Sequence, residues 1–244
     1  MQVIDQTEFP VKGTNPIQAM FNEIAPKYDL LNRILSIGYD KHWRRVAVSE
    51  FDIDINKKYL DVATGTSDIA LEIGKSYPKP AQVIGIDFSF SMLKLGHQKI
   101  STNNIGNKIK LISCAAENIS LKGNTFDGVI TAFGVRNFLD TQQGLREMYR
   151  ILKPNGKIVI LEFSFPQKWF LTRIYRFYFE KILPLIGRII SGHKSAYSYL
   201  PGSVANFPQG ETFNGILEST GFKNISFKPL TFGIVTIYTG IKYA

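Results

Sequence analysis

The sequence predicts an α/β fold in which one mostly parallel sheet lies between two layers of helices. Five short apolar runs alternate with helix-like stretches through the middle of the chain, at 59–63, 82–87, 109–114, 126–133 and 157–163. Near-continuous apolar runs of this kind are typical of parallel strands buried on both faces. Two further runs, at 224–230 and 233–240, follow each other closely, so we expect a hairpin that gives the sheet an antiparallel edge.

The segments between these runs predict the helices. Helical stretches are expected near 67–76, 89–100, 140–152 and 209–220, the last ended by Gly221. Asn15-Pro16 has the pattern of a helix start, and Pro154-Asn155-Gly156 predicts a tight break before the fifth strand. We therefore divide the chain into an N-terminal helical segment, 1–56, and one domain, 57–244, with a helical insertion at about 165–208.

Composition excludes several classes of protein. Of 244 residues, 44% are hydrophobic and 20% charged, which suffices for a buried core and excludes a disordered or collagen-like chain. The net charge of +9 suits nucleic acid, an anionic membrane surface or an acidic small molecule, and does not distinguish among them. The single cysteine, Cys114, excludes an intrachain disulfide and a multi-cysteine metal site, so we expect a reducing cytosol and no metal.

No targeting or membrane-spanning segment is expected. The first ten residues, MQVIDQTEFP, have no apolar core and contain Asp5 and Glu8, unlike a secretory signal. No run approaches the roughly 18 apolar residues that span a bilayer. The sequence therefore predicts a soluble, intracellular protein.

Candidate ligand-binding residues follow the predicted strands, because ligands of open parallel sheets bind beyond the carboxyl ends of the strands. The first strand leads into DVATGTSD (61–68), where Gly65 lets the backbone approach a ligand and Ser67 or Asp68 is expected to cap the next helix. The second ends in Asp87, which is placed to accept both hydroxyls of a ribose. The third and fourth end in Cys114-Ala115-Ala116-Glu117 and Thr131-Ala132-Phe133.

The first of these loops does not have the three-glycine dinucleotide fingerprint. A loop with fewer glycines and an acidic Asp68 suits a ligand that carries an amino-acid ammonium and a sulfonium, which is S-adenosylmethionine. An ordinary strand-to-helix connection stays open as the alternative at this point.

Four longer segments resemble one family. YDLLNRILSIGYDKHW (28–43) is similar to the first signature of the ubiquinone/menaquinone biosynthesis C-methyltransferases, and RILKPNGKIVILEFS (150–164) to the second. FGVRN (133–137) and YSYLPGSVANFP (197–208) also resemble family segments. The resemblance runs from about residue 16 to the end. It departs at Leu31, where the family usually has Met, at Asp40, where His is expected, and at Ala115, which replaces a polar residue.

The resemblance implies a class I S-adenosylmethionine-dependent methyltransferase fold, a Rossmann-like three-layer sandwich with a seven-stranded sheet. It implies methyl transfer from S-adenosylmethionine to a ring carbon of a polyprenylated quinol. We favour demethylmenaquinol, since the naphthoquinol activity is the more widespread bacterial one in the family; benzoquinol methylation, or both, is the alternative. An RNA methyltransferase and a non-catalytic cofactor-binding protein are the alternatives from other classes.

The site residues are assigned from the strand ends and the family motifs together. Expected cofactor contacts are Asp61, Gly65, Thr66, Asp68, Asp87, Phe88, Ala115, Ala116 and Ala132. Expected catalytic residues are Arg136, Asn137, His42 and Tyr197. Arg136 stays protonated, so it can stabilise negative charge on a ring oxygen but cannot act as a base. Asn137 could orient a water or the second hydroxyl, and His42 is the histidine worth testing as the base.

The last expectation concerns lipid. The stretch 168–194 mixes six basic residues with aromatic and aliphatic ones, a composition that suits a helix in a membrane interface or a cover over an apolar tail. An ordinary amphipathic helix packed on the sheet is the alternative. Given a prenylated substrate, we expect the insertion to face lipid, the 1–56 segment to contribute to the substrate site, and the protein to lie at the inner face of the cell membrane. No nucleic-acid partner is expected, and a homodimer is left open.

Overall fold

The computed structural model describes residues 16–75, 81–166, 173, 177 and 194–243. In these parts of the chain, seven strands form one sheet in the order β3-β2-β1-β4-β5-β7-β6. The strands are β1 (Lys58–Val62), β2 (Gln82–Asp87), β3 (Ile109–Ser113), β4 (Phe126–Ala132), β5 (Leu152–Phe163), β6 (Lys223–Leu230) and β7 (Val235–Ile241).

The pairing of the strands confirms the predicted topology. The pairs β1–β2, β1–β4, β2–β3 and β4–β5 are parallel, whereas β7 runs antiparallel to both β5 and β6. The last two strands are thus the expected hairpin, with β7 placed between β5 and the outer strand β6. As a result, the carboxyl ends of β1 to β5 meet at one edge of the sheet.

Seven α-helices are described. They are α1 (Pro16–Leu35), α2 (Tyr39–Val48), α3 (Asp68–Gly74), α4 (Phe90–Thr102), α5 (Thr141–Ile151), α6 (Lys194–Asn206) and α7 (Glu211–Thr220). The helix start predicted at Asn15-Pro16 agrees with α1, which begins at Pro16, while Asn15 lies outside the described residues. Gly221 ends α7 in the left-handed conformation (φ 112°) that glycine adopts readily.

Two local predictions differ from the structure. Ser67 holds the position before α3, but its side chain makes no capping hydrogen bond. Its backbone is left-handed (φ 67°), whereas a capping side chain requires an extended backbone. The break expected at 154–156 lies inside β5 as a bulge, where the pairing with β4 jumps from Phe126–Leu152 to Gly128–Lys157.

Apolar cores on both faces of the sheet confirm the three layers. On one face Trp43 of α2 and Ile73 of α3 are buried against the strands, and on the other Leu145 of α5 and Phe213 of α7. A third cluster, formed by Ile24, Ala25, Leu31, Met92 and Val204, joins α1, α4 and α6. No helix in the described ranges is both long and apolar enough to cross a bilayer.

Candidate active site

A cleft of about 180 Å³ lies at the carboxyl ends of the parallel strands. Six of the nine predicted cofactor positions line it: Gly65, Asp87, Phe88, Ala115, Ala116 and Ala132. The topology explains this grouping, because each of these residues follows or ends a parallel strand and those ends share one edge.

Asp87, the last residue of β2, is the buried carboxylate of this cleft. Its Oδ2 accepts a hydrogen bond from the Gly65 amide at 2.8 Å, and its Oδ1 accepts one from the Ser89 amide at 2.8 Å. Gly65 has φ +54°, a conformation that side chains rarely adopt. Burial raises the pKa of Asp87 to about 6. The second strand therefore ends in a fixed acceptor for hydroxyl groups.

Asp61 lies outside the residues that line the cleft. Its Oδ2 accepts hydrogen bonds from the Thr64 hydroxyl at 2.5 Å and from the Ala70 amide at 3.1 Å. Burial raises its pKa to about 7. Asp61 thereby holds the loop between β1 and α3.

Thr66 and Asp68 also lie outside the lining and belong to a network of charges. Lys99 Nζ lies 2.9 Å from Thr66 Oγ1, 2.7 Å from Asp68 Oδ1 and 2.6 Å from Asp29 Oδ2. Burial alone would raise the pKa of Asp68, but Arg44 and Lys99 hold it below its ordinary range. The acidic residue expected to meet the ammonium is thus neutralised by two cations of the chain.

A second, apolar chamber of about 50 Å³ adjoins the cleft. The two cavities share Phe21, Tyr28 and Phe133 as lining residues. The chamber is otherwise lined by Met20, Ile24, Leu31, Asn32, Arg136, Phe163, Tyr199 and Leu200. Helix α1, the ends of β4 and β5, and α6 therefore build it together.

Arg136 supplies the charge in the chamber wall. Its Nη1 lies 2.5 Å from Glu162 Oε1 and 2.6 Å from the Phe133 carbonyl, and its guanidinium carbon lies 5.4 Å from the Phe163 ring centre. Glu162 is fully buried. The Arg136 Nε is also buried and has no hydrogen-bond partner within the described structure. A cation is thus fixed in the apolar wall of the chamber.

Asn137, the next residue after Arg136, lines the cleft. Its Nδ2 donates to the Phe133 carbonyl at 3.2 Å, and its Oδ1 accepts from the Tyr199 hydroxyl at 3.0 Å. Tyr199 was missed in the sequence, although it stands in the same motif as the predicted Tyr197. The backbone of Tyr197 belongs to α6, and its side chain lies outside the described residues.

The structure does not bring His42 to the site. His42 is exposed on α2, its ring meets the Tyr39 ring at 6.5 Å, and it lines neither cavity. The neighbouring Asp40 is buried in ion pairs with Arg33 and Arg44. This part of the first signature therefore fixes α2 against α1. The described ranges contain no group of His, Cys, Asp or Glu suited to a metal ion.

Helix α1 covers the cleft with residues that sequence reasoning did not identify. Gln18 Nε2 donates to the Phe88 carbonyl at 2.5 Å, and Asn22 Oδ1 accepts from the Ser89 hydroxyl at 2.6 Å. Tyr28 lines both cavities, and burial raises its pKa. The signal available in the sequence was the apolar residues at positions 20, 21, 24, 28 and 31, which share one face of a helix.

Comparison with known proteins places this geometry in a family. A family model described as the ubiE/COQ5 methyltransferase family matches residues 9–242. A relative from Geotalea daltonii named ubiquinone/menaquinone biosynthesis C-methyltransferase UbiE is 48% identical over 226 residues, which are 93% of this chain and 96% of that one. A demethylmenaquinone methyltransferase from Bacteroides fragilis is 39% identical over 231 residues, 95% and 94% of the two chains.

A solved structure has the same fold. A SAM-dependent methyltransferase from Thermotoga maritima superposes with a TM-score of 0.65 at 17% identity, over 93% of this chain and 99% of that one. This likeness confirms the predicted class I methyltransferase fold. The family confirms the expected cofactor, S-adenosylmethionine. The chain belongs to the ubiE/COQ5 family of S-adenosylmethionine-dependent methyltransferases.

Proposed function

We propose that the chain transfers a methyl group from S-adenosylmethionine to a ring carbon of a polyprenylated quinol, with demethylmenaquinol as the favoured substrate. One observation carries the proposal: an apolar chamber that contains a buried cation opens beside the cofactor cleft and shares three aromatic residues with it. The names of the relatives from Geotalea daltonii and Bacteroides fragilis support a quinone substrate.

The cleft fits the cofactor by the chemistry of its residues. Asp87 ends β2 as a buried acceptor, which suits the two hydroxyls of a ribose. Ala115 and Ala116 leave room beyond β3, and the Gly65 backbone lies beside Asp87. The cofactor supplies an activated methyl group on a sulfonium. The chain has to hold this group beside the acceptor ring, because alignment alone removes much of the barrier.

Arg136 has the central role in activating the acceptor. A phenol with a pKa of about 10 is only about one part in a thousand ionised at pH 7. Lowering that pKa by three units corresponds to about 4 kcal/mol, a large demand for one group. The guanidinium, which Glu162 fixes in the chamber wall, is suited to stabilise a phenolate oxygen there.

Glu162 and Asn137 prepare this cation for its role. The buried Glu162 carboxylate binds Nη1 of Arg136, so the guanidinium cannot swing out of the wall without leaving a buried charge unpaired. Asn137, fixed by Tyr199 and the Phe133 carbonyl, lines the cleft next to the chamber. Asn137 is therefore suited to orient the second hydroxyl of the quinol.

A polyprenylated substrate resides in a bilayer, so we propose that the chain works at the inner face of the cell membrane. Most of the predicted lipid-facing stretch 168–194 lies outside the described residues. Arg173 and Phe177 are described within it, and Phe177 is exposed.

The test is methyl transfer from labelled S-adenosylmethionine, with demethylmenaquinol and a demethylated benzoquinol offered in separate detergent assays. Labelled product from the naphthoquinol alone is the result we expect. Product from both would make the enzyme dual-function. No transfer to either quinol by a protein that binds the cofactor would overturn the proposed substrate.

A further inference from the structure

Exposed apolar side chains gather at one corner of the molecule. The described residues contain ten large hydrophobic side chains that are exposed, and five of them lie here: Leu30, Ile34, Ile37, Tyr39 and Phe232. We call these five the apolar corner. Single exposed apolar residues are ordinary on protein surfaces, but a cluster marks an interaction site.

Contacts through Trp43 bring the two parts of the corner together. The Trp43 Nε1 donates to the Thr231 hydroxyl at 2.7 Å, which places the 231–233 turn against α2. The Trp43 ring also lies 6.3 Å from the Tyr39 ring. The turn that carries Phe232, between β6 and β7, therefore lies against α2, the helix that begins at Tyr39.

The two most exposed members stand on strained backbone. Ile37 has φ 52° and is 82% exposed, and Phe232 has φ 59° and is 80% exposed. Branched and aromatic residues rarely adopt this left-handed conformation, for which glycine is the usual residue. Since neither side chain is buried, packing in the core does not account for the strain. A strained backbone that holds an exposed apolar side chain indicates a role other than stabilising the fold.

The corner borders the proposed substrate chamber. Leu31, next to Leu30 on α1, lines the chamber, and Ile34 stands one helical turn further along. Ile234, two residues after Phe232, packs with the cluster that contains Leu31. The apolar surface thus continues from the chamber wall to the outside of the molecule.

The charge around the corner is positive. Residues 27–45 contain five lysine and arginine residues against two aspartates, and the whole chain carries +9. Lys41 is exposed beside Tyr39, and the Arg45 side chain is 69% exposed, with its Nε 3.5 Å from Glu72 Oε1. Apolar and aromatic tips surrounded by basic residues are typical of surfaces that dock on anionic lipid.

We propose that the apolar corner docks on an anionic bilayer surface, with Ile37 and Phe232 inserted among the headgroups. This inference rests on the proposed function, because a lipid-tailed quinol has to pass from a bilayer to the chamber. Docking at this corner brings the chamber wall at Leu31 to the membrane that holds the substrate.

The test compares the full chain with the double variant Ile37→Gly and Phe232→Gly. Glycine removes both apolar tips and suits the left-handed backbone, so the variant should fold and melt at or above the wild-type temperature. Binding is measured by flotation with vesicles of phosphatidylcholine containing phosphatidylglycerol. We expect the double variant to bind the vesicles at least about tenfold more weakly than the wild type, because two inserted apolar side chains are lost.

Tyr243→Gly is the matched control. Tyr243 is also an exposed aromatic residue, but it follows β7 and its hydroxyl accepts a hydrogen bond from Asn224, near the amino ends of the parallel strands. This variant should bind vesicles like the wild type. Equal loss in both glycine variants would overturn the assignment to the apolar corner.

A second readout separates this inference from the proposed function. With a short-tailed quinol in detergent, the double variant should turn over like the wild type, whereas with long-tailed quinol in vesicles its rate should fall in parallel with vesicle binding. Vesicle binding by the double variant at the wild-type level would overturn docking at this corner.

If the wild type forms a dimer that the double variant does not form, and neither protein binds vesicles, the surface would be assigned to a second copy of the chain. Transfer to no quinol, with the vesicle difference intact, would refute the substrate alone.

Discussion

The cofactor cleft and the apolar chamber adjoin each other but are built in opposite ways. The cleft is built mainly by the loops after the parallel strands, with α1 over them, and its buried charged group is Asp87, a carboxylate held by backbone amides. The chamber is assembled from four separate segments, and its charged group is Arg136, a buried cation held by Glu162. The signs match the proposed reaction, in which the donor is a sulfonium and the activated acceptor is a phenolate.

This difference indicates which kinds of residue the cleft and the chamber each require. Strand ends and tight turns present backbone amides at fixed positions, so in the cleft the backbone can supply much of the binding beside the Asp87 carboxylate. A chamber for an apolar ring needs side chains from several elements, with a single charge whose orientation is secured by a buried partner. The two halves should therefore respond differently to substitution.

Arg136→Ala should have the largest effect. Removing the cation should lower kcat about 10²- to 10³-fold, the usual cost of losing one electrostatic stabiliser, while the Kd for S-adenosylmethionine changes less than about threefold. Steady-state kinetics and calorimetry measure the two quantities. Arg136→Lys, which keeps a charge but not the planar fork, is the control and should be partly active. Equal losses of cofactor binding and turnover would contradict the separation of the two halves.

Asp87→Asn should act in the opposite sense. The cofactor Kd should rise about 10- to 100-fold, since hydrogen bonds to a charged acceptor contribute about 1.5–3 kcal/mol. At saturating cofactor, kcat should stay close to the wild-type value. A large loss of kcat with an unchanged Kd would show that Asp87 belongs to the chemistry of the chamber.

Cofactor binding should also depend on pH. Burial raises the pKa of Asp87 to about 6, so this carboxyl takes up a proton below pH 6, whereas an ordinary aspartate stays charged to about pH 4. The protonated form is the poorer acceptor, so cofactor affinity should fall by up to about tenfold for each pH unit below 6. Calorimetry from pH 5 to 8 measures this, and the same slope in Asp87→Asn would assign it to another group.

Tyr199→Phe should have the smallest effect. The hydroxyl reaches Asn137 rather than Arg136, so its loss removes one positioning hydrogen bond at 3.0 Å. We expect kcat to fall about fivefold, which corresponds to about 1 kcal/mol, with the cofactor Kd unchanged. Asn137→Ala should lower kcat further, and the double variant should fall no lower than Asn137→Ala, because the two act through one contact. Additive losses would show that Tyr199 acts by itself.

The cleft was largely predictable from the sequence. Apolar runs predicted the strands, and strand topology brings their carboxyl ends to one edge, so Gly65, Asp87 and Ala115 to Ala116 could be grouped without coordinates. Thr66 and Asp68 were harder, because their partner Lys99 lies on another helix and no local pattern reports it.

The chamber was less predictable. The sequence places Arg136 just after β4. Its partner Glu162 lies within β5, where nothing in the sequence pattern distinguishes it from other strand residues. Tyr199 and the α1 residues depend on how α1 and α6 pack over the strand ends, which sequence periodicity does not specify. His42 was selected for its motif and its chemistry, and only tertiary structure shows that it is exposed on α2.

The central claim is that one site joins a carboxylate-bearing cofactor cleft to a cation-bearing chamber. A crystal structure of the chain with S-adenosylhomocysteine and a demethylated naphthoquinone tests it most directly. We predict the ribose hydroxyls on Asp87, and the ring in the chamber with one oxygen within hydrogen-bond distance of Arg136. The acceptor carbon should face the sulfur of S-adenosylhomocysteine at a distance of about 4 Å, which leaves room for the methyl group that this molecule lacks. A ring bound outside the chamber, or a ribose away from Asp87, would contradict the account.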